Sequence, residues 1–167
     1  MKQRTAIYPG TFDPITYGHL DIIERAVRIF DKVIVAVADN VSKSPLFSIE
    51  ERVEMIRDSV RDIPRVEVDA FHSLIIDYCH KRGATALIRG LRAISDFEYE
   101  FQMALINRKI GEDVESVFLM PKEKYTYLSS SMIKEIAAFG GDVSCFVPDS
   151  VQKRLKEKNT EMNKKKE

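Results

Sequence analysis

Apolar and polar positions along this chain follow two alternating patterns. Short runs rich in β-branched and other apolar residues recur along it and predict β-strands. We expect five strands, at 5–9, 32–38, 65–71, 85–90 and 114–120. The second run, KVIVAVA, is almost continuously apolar, which is typical of a parallel strand that is covered on both faces.

Between these runs, apolar residues recur three or four positions apart and predict helices. The positions are Leu20, Ile23, Val27 and Phe30, then Ile49, Val53, Ile56 and Val60, then Phe97, Phe101, Ala104 and Leu105. Ser48 with Glu51 has the spacing of a capping box, and Gly83 follows a short helical segment at 74–81. The alternation of strand and helix predicts an α/β fold, a Rossmann-like doubly wound five-stranded parallel sheet with helices on both faces.

Length and composition indicate one soluble domain. The chain has 167 residues and a formal net charge of zero, so no overall field attracts nucleic acid or an anionic membrane. It contains no run of eighteen apolar residues and no apolar leader, which favours a cytoplasmic protein with its two cysteines reduced. We expect the domain to span 1–157, followed by a polar, disordered tail at 158–167.

The loops that follow the predicted strands carry the candidate chemistry, because ligands of such sheets bind at the carboxyl ends of the strands. After the first strand, Gly10 allows a close approach of the backbone, and Thr11 offers a hydroxyl group. His19 falls where the first helix starts, and there it can donate to a phosphate. The spacing alone leaves open whether His19 is a binding residue or a helix cap.

Three further features suit a phosphate ligand. Arg89 lies at the end of the predicted fourth strand and Arg92 follows three residues later; the two can converge on a polyanion, although ion pairs to nearby acids such as Glu100 are the alternative. Three serines at 129–131 precede a predicted helix, and a cap needs only one of them. Lys43 is the least specific candidate. The chain contains no GxxxxGK[ST], GxGxxG, GxSxG or HExxH motif, which favours direct transfer between phosphates without a covalent catalyst.

Two stretches and the segment between them resemble a known family. YPGTFDPITYGHLDII resembles the first signature of the nucleotidylyltransferase superfamily, [HT]xGH, with threonine at position 16. LSSSMIKE resembles the second signature, with Lys134 where arginine is frequent. LIRGLRAISDFEYEFQMALIN and ESVFLMP are similar to segments of the bacterial phosphopantetheine adenylyltransferases. The resemblance covers residues 4–150 and ends before the tail.

The resemblance implies transfer of AMP from ATP to 4′-phosphopantetheine, with release of dephospho-CoA and pyrophosphate, in the penultimate step of coenzyme A synthesis. It implies a transition-state stabiliser at His19, further catalytic side chains at Lys43 and Arg92, and acceptor contacts from Thr11, Lys43, Ile75 and Arg89. The ATP contacts that it implies are Thr11, Phe12, His19, Gly90, Leu91, Arg92, Glu100, Tyr125, Thr126, Tyr127, Leu128, Ser129, Ser130 and Ser131. It also implies a homohexamer and assistance by Mg²⁺, for which we expect phosphates and water rather than protein side chains as the main ligands.

Two alternatives remain open at this point. Another adenylyl- or cytidylyltransferase of the superfamily would use nicotinamide mononucleotide or glycerol phosphate as its acceptor. The pocket around Lys43, Ile75 and Arg89 would distinguish these acceptors from phosphopantetheine. A non-catalytic nucleotide-binding module would need the fold but not His19. Binding of nucleic acid or of a membrane is the least favoured class, given the balanced charge.

Overall fold

Five parallel strands form one sheet in the computed structural model, which describes residues 3–39, 44–92 and 94–164. The strands are β1 (Thr5–Gly10), β2 (Lys32–Ala38), β3 (Val66–Phe71), β4 (Ala86–Gly90) and β5 (Glu115–Leu119). Their order across the sheet is β3-β2-β1-β4-β5, and every neighbouring pair is parallel. The predicted five-stranded parallel sheet is confirmed, and each strand begins and ends within one residue of its predicted bounds.

Helices connect and follow the strands. They are α1 (Tyr17–Ile29), α2 (Ile49–Ser59), α3 (Ile75–Arg82), α4 (Ile94–Ile110), α5 (Ser130–Ala138) and α6 (Asp149–Lys164), with a 3₁₀ turn at Glu123–Tyr125. The predicted capping box is present, since Glu51 N donates to Ser48 Oγ at 3.2 Å and Ser48 N donates to Glu51 Oε2 at 2.7 Å. Gly83 ends α3 with a φ of 62°, as predicted. None of the helices in the described residues combines the length and the hydropathy that a transmembrane helix needs.

Alternation along the central strands builds one hydrophobic cluster on each face of the sheet. In β2, Val33, Val35 and Val37 belong to the cluster that also contains buried residues of α1, α2 and α6. Ile34 and Ala36 point to the other face, where they join buried residues of α3. Because both faces are covered, every residue from Val33 to Val37 is fully buried, which explains the continuous apolar run in the sequence.

The strand order fixes where a ligand can bind. The chain passes from β1 outward to β3 and then returns to the opposite side of β1 to form β4 and β5. The connections therefore diverge between β1 and β4, and a crevice opens at the carboxyl ends of these two strands. The loops that follow β1 and β4 carry the candidate residues of the sequence.

The predicted disordered tail is wrong for residues 158–164, which continue helix α6. This helix buries Val151 and Leu155 in the cluster that contains Val33, Val35 and Val37. Farther along, Lys158 Nζ lies 2.9 Å from Glu51 Oε1 on α2, and Asn159 Nδ2 donates to Ala137 O on α5 at 2.8 Å. Polar composition suggested disorder, but these polar side chains have specific partners elsewhere in the fold. Residues 165–167 lie outside the described part of the chain.

Candidate active site

A cavity of about 540 Å³ opens at the carboxyl ends of β1 and β4, and we call it the first cavity. Its wall combines the β1–α1 loop, the end of β4 and the segment that leads into α5. The predicted ATP contacts on this wall are Thr11, Phe12, His19, Gly90, Arg92, Glu100, Tyr125, Leu128, Ser129, Ser130 and Ser131. Leu91, Thr126 and Tyr127, also expected to contact ATP, are not part of this lining. The fold thus brings together most of a set that was drawn from distant parts of the sequence.

A second cavity, of about 380 Å³, lies on the other side of the β1 end. Thr11, Ile75 and Arg89, three of the four residues expected to contact the acceptor, line this second cavity. Thr11 and Glu100 line both cavities, so the two spaces meet beside the carboxyl end of β1. The fourth expected residue, Lys43, lies outside the described residues.

His19 is a helix-capping residue and a wall residue of the first cavity at once. Thr16 is the N-cap of α1: its Oγ1 accepts from His19 N at 3.3 Å, and its own N–H donates to His19 Nδ1 at 3.1 Å. Since Nδ1 accepts this backbone hydrogen bond, the neutral ring carries its proton on Nε2. Burial, followed by the positive charge of Arg92, lowers the pKa of His19 to about 4. His19 can therefore be both a helix cap and a binding residue, the two roles that the spacing left open.

The turn after β1 is shaped by the ring of Phe12. Phe12 has a φ of 47°, a conformation that is unusual for a residue with a side chain, and its ring meets that of His19 edge-on at 5.1 Å. A Cβ atom at Gly10 would lie 2.8 Å from Phe12 Cζ. The packing of this ring therefore favours glycine at position 10, which also lines the second cavity. At Gly18 a Cβ atom would have no neighbour closer than 3.5 Å.

Arg89 and Arg92 line different cavities, contrary to the expectation that they converge. Arg89 lines the second cavity and makes a two-bond ion pair with Glu100, with Nε–Oε2 at 2.6 Å and Nη2–Oε1 at 2.5 Å. Arg92 lines the first cavity, and its Nη1 donates to Leu128 O at 2.9 Å. The reason is that Arg89 is still a strand residue on the face of Leu87, whereas Arg92 follows the strand.

The three serines at the start of α5 have different roles. Ser129 is the N-cap, and its Oγ accepts from Met132 N at 3.2 Å. Ser130 Oγ donates to Pro14 O at 2.8 Å, which joins the start of α5 to the β1–α1 loop. Ser131 is exposed and lines the first cavity. One serine is thus explained by capping and one by a tertiary contact, and all three border the cavity.

Asp13 is a site residue that the sequence analysis missed. It is 3% exposed and accepts from the backbone N–H groups of Leu46 and Phe47 at 2.9 Å each. It also forms an ion pair with Lys134 of α5, and both side chains border the first cavity. Asp13 therefore ties the β1–α1 loop to the segment before α2 and to α5. An acid directly after Phe12 in a loop next to a buried strand was the only local signal.

A second buried acid, Asp21 on α1, holds the segment that follows β5. Asp21 is 3% exposed, and its Oδ2 accepts from Lys122 N at 2.9 Å and from Arg25 Nε at 2.8 Å. Lys122 Nζ lies 3.1 Å from Asp21 Oδ1. Burial alone would raise the pKa of Asp21, but the hydrogen bonds from Arg25 and Lys122 outweigh it and lower that pKa. Asp21 thereby fixes the start of the segment that carries Tyr125 and the serines.

Comparison with known proteins agrees with this geometry. Residues 7–136 match the model of the cytidylyltransferase-like family. The chain is 60% identical to a phosphopantetheine adenylyltransferase of Caldanaerobacter subterraneus subsp. tengcongensis, over 93% of this chain and 97% of the relative. It is 57% identical to the enzyme of the same name from Methylococcus capsulatus, over 92% of this chain and 95% of the relative.

Among solved structures, a candidate nicotinate-nucleotide adenylyltransferase from Vibrio parahaemolyticus is similar in fold. The TM-score is 0.72 at 17% identity, with 95% of this chain and 94% of the other covered. At that identity the likeness concerns the fold alone. The identities of 57–60% over nearly the whole length are the more specific finding, and with the family model they identify the chain. It belongs to the phosphopantetheine adenylyltransferases, within the cytidylyltransferase-like family.

Proposed function

We propose that this protein transfers the adenylyl group of ATP to the phosphate of 4′-phosphopantetheine. A phosphate oxygen of the acceptor attacks the α-phosphorus of ATP, the bond from that phosphorus to the bridging oxygen breaks, and pyrophosphate leaves. The products are dephospho-CoA and pyrophosphate, as in the penultimate step of coenzyme A synthesis. The names of the relatives support this reaction, and so does the membership of the chain in their family.

One structural observation carries the proposal: two cavities meet at Thr11. Direct transfer needs the two reacting groups side by side, about 3–3.5 Å apart, and no covalent intermediate. Separate cavities with a shared wall suit two substrates that react with each other. ATP would occupy the first cavity and the acceptor the second, with its phosphate directed to the shared wall.

The side chains on the two walls suit the charges of these substrates. In the first cavity, His19 is neutral above its lowered pKa of about 4 and presents Nε2–H, a donor for an oxygen of the α-phosphate. Arg92 supplies positive charge on the same wall, and Ser131 supplies a hydroxyl group. In the second cavity, Arg89 would bind the acceptor phosphate, with Ile75 beside the pantetheine arm. Such preorganised donors act where charge develops in the transition state.

We also propose that Mg²⁺ acts with ATP. The carboxylates that line the first cavity, Asp13 and Glu100, are engaged by Lys134 and Arg89, and no group of three metal-binding side chains occurs among the described residues. This donor set suits an ion whose ligands are mainly phosphate oxygens and water. Bound there, the ion would neutralise part of the charge of the triphosphate.

A homohexamer in the cytoplasm completes the proposal. Helix α4 carries apolar side chains on several sides, and five that are about half exposed are Phe97, Phe101, Leu105, Ile106 and Ile110. Exposed apolar surface of this kind is typical of protein interfaces. We therefore expect copies of this chain to cover α4. Analytical ultracentrifugation would give the stoichiometry, and a monomer at micromolar concentration would contradict the assembly.

The test of the reaction is release of pyrophosphate from ATP with a panel of acceptors. We expect turnover with 4′-phosphopantetheine and at least about 10²-fold lower kcat/KM with nicotinamide mononucleotide or glycerol phosphate, since a site built around specific polar contacts rejects analogues that lack them. Turnover of nicotinamide mononucleotide but not of phosphopantetheine would contradict the proposal. Binding of ATP without turnover of any acceptor would indicate a non-catalytic nucleotide-binding module.

A further inference from the structure

Arg52, on helix α2, is a charged residue buried below the site. It is 2% exposed and ranks among the largest fully buried side chains of the described residues. Its hydrogen bonds in the described part of the chain all go to backbone carbonyl oxygens. Nε donates to Phe47 O at 3.1 Å and to Ser48 O at 3.2 Å, and Nη1 donates to Thr11 O at 2.9 Å and to Ala38 O at 3.4 Å.

These carbonyls belong to three segments, which the β1–β2 ladder and the hydrogen bonds of Asp13 also hold together. Thr11 follows β1, Ala38 ends β2, and Phe47 with Ser48 starts α2. Thr11 lines both cavities and Ala38 lines the second, whereas Arg52 itself lines neither. Arg52 therefore contacts the wall between the two cavities from behind. Any effect on the reaction has to pass through that wall.

Burying an arginine in this way is costly for stability. Removing a guanidinium from water carries a penalty of several kcal/mol, which neutral carbonyl partners offset only in part. A well-packed apolar side chain of similar volume often gives equal or greater stability at such a position. The planar guanidinium does what an apolar side chain cannot do: its separate N–H groups hold several carbonyls at fixed directions.

We propose that Arg52 is a positioning residue for the transfer, which sets the place of Thr11 relative to the end of β2 and so the distance between the two substrates. This inference rests on the proposed function. In-line attack depends steeply on that distance, and a displacement of about 1 Å can lower the rate about 10²-fold. Binding of ATP depends on it less, because β4 and the segment that leads into α5, which form much of the first cavity, accept none of the hydrogen bonds of Arg52 given above.

The test compares R52K and R52Q with a matched pair on the same helix, R57K and R57Q. Arg57 is exposed, and its Nη2 lies 3.5 Å from Val68 O. Isothermal titration gives the ATP-binding stoichiometry and Kd, and pyrophosphate release gives kcat and both KM values. Rates are expressed per ATP-binding chain, so that misfolded protein in the sample does not lower the measured kcat. R52K retains the charge and provides a second variant if R52Q folds poorly.

We expect both Arg52 variants to keep the Kd for ATP within about threefold while kcat per ATP-binding chain falls about 10- to 10²-fold. The Arg57 variants should match the wild type. If the Arg52 variants lose binding-competent protein but keep the wild-type kcat per competent chain, the residue is merely structural and the proposal is wrong. A fully active R52K would also overturn it, because charge alone would then suffice.

Failure of the proposed function gives a different result. In that case the wild type itself does not turn over phosphopantetheine, and the comparison is made with whichever acceptor the panel identifies. An unchanged kcat of R52K with that acceptor would again refute the positioning role.

Discussion

Replacing His19 by alanine removes two interactions that the structure allows us to separate. The imidazole Nδ1 accepts a hydrogen bond from Thr16 N, and this bond helps to cap α1. Nε2–H is left to act as a donor in the first cavity. Loss of a helix cap lowers the free energy of unfolding by about 1 kcal/mol. Loss of one preorganised donor to a transition state lowers kcat about 10²- to 10³-fold, or about 2.7–4 kcal/mol in the barrier.

We therefore expect H19A to lose at least about 10²-fold in kcat while its affinity for ATP stays within about tenfold. Urea unfolding should show the loss of the cap. The control is T16A, which removes the hydroxyl that accepts from His19 N but keeps the imidazole. T16A should lose about the same stability and retain kcat within about tenfold. H19A with wild-type turnover would remove His19 from the mechanism, and an equal loss of kcat in T16A would reduce its role to that of a cap.

The lowered pKa of His19 predicts how activity and stability depend on pH. Because the pKa is lowered to about 4, the ring is neutral across the usual assay range, and kcat/KM should show no His19 ionisation near pH 6.5. Between these two values the unfolded chain binds a proton at this residue and the folded chain does not. The contribution of His19 to stability is therefore complete above the unfolded pKa and is lost as the pH falls through about 4. In H19A this part of the acid destabilisation should be absent.

Three further predictions concern the frame of the site. In a urea titration, G10A should lose about 1–3 kcal/mol of unfolding free energy, because its Cβ would overlap the ring of Phe12. G18A, where a Cβ has room, should be neutral or more stable by about 0.4–1 kcal/mol in the same titration. D21N should lower the melting temperature at pH 7 but less at low pH: the carboxylate of Asp21, whose pKa is lowered, contributes stability above its unfolded pKa and loses it as the pH falls through the folded one. R89A should raise the KM of the acceptor more than that of ATP, because Arg89 lines only the second cavity of the two, and an equal rise in both would contradict the assignment of the cavities.

The sequence predicts the elements of this fold well because their signals are local. Strand runs, helical spacing and the Ser48–Glu51 capping box depend on residues a few positions apart. The position of His19 at the start of α1 was predicted for the same reason. The polar end of α6 was predicted wrongly, since composition does not indicate that Lys158 will meet Glu51 across 107 residues.

The parts of the site that the sequence did not indicate depend on long-range contacts. Asp13 meets backbone N–H groups 33 and 34 residues away, and Arg52 meets a carbonyl 41 residues away. In the sequence, Arg52 is simply one of several charged residues in a helical segment, so only the packing of α2 against the sheet distinguishes it from Arg57.

The separation of Arg89 from Arg92 has a local cause that also explains the arrangement of the two cavities. Successive residues of β4 point to opposite faces of the sheet, so Leu87 joins the cluster of α3 and Ile88 that of α1. Arg89 continues the face of Leu87, and Gly90 continues the other face, where a Cβ would meet Tyr8 and Ile22. Each face of the sheet thus ends in its own cavity. Both cavities reach Thr11 at the end of β1, and two substrates bound there would meet beside it, which is why we expect the backbone at Thr11, held by Arg52, to affect their approach.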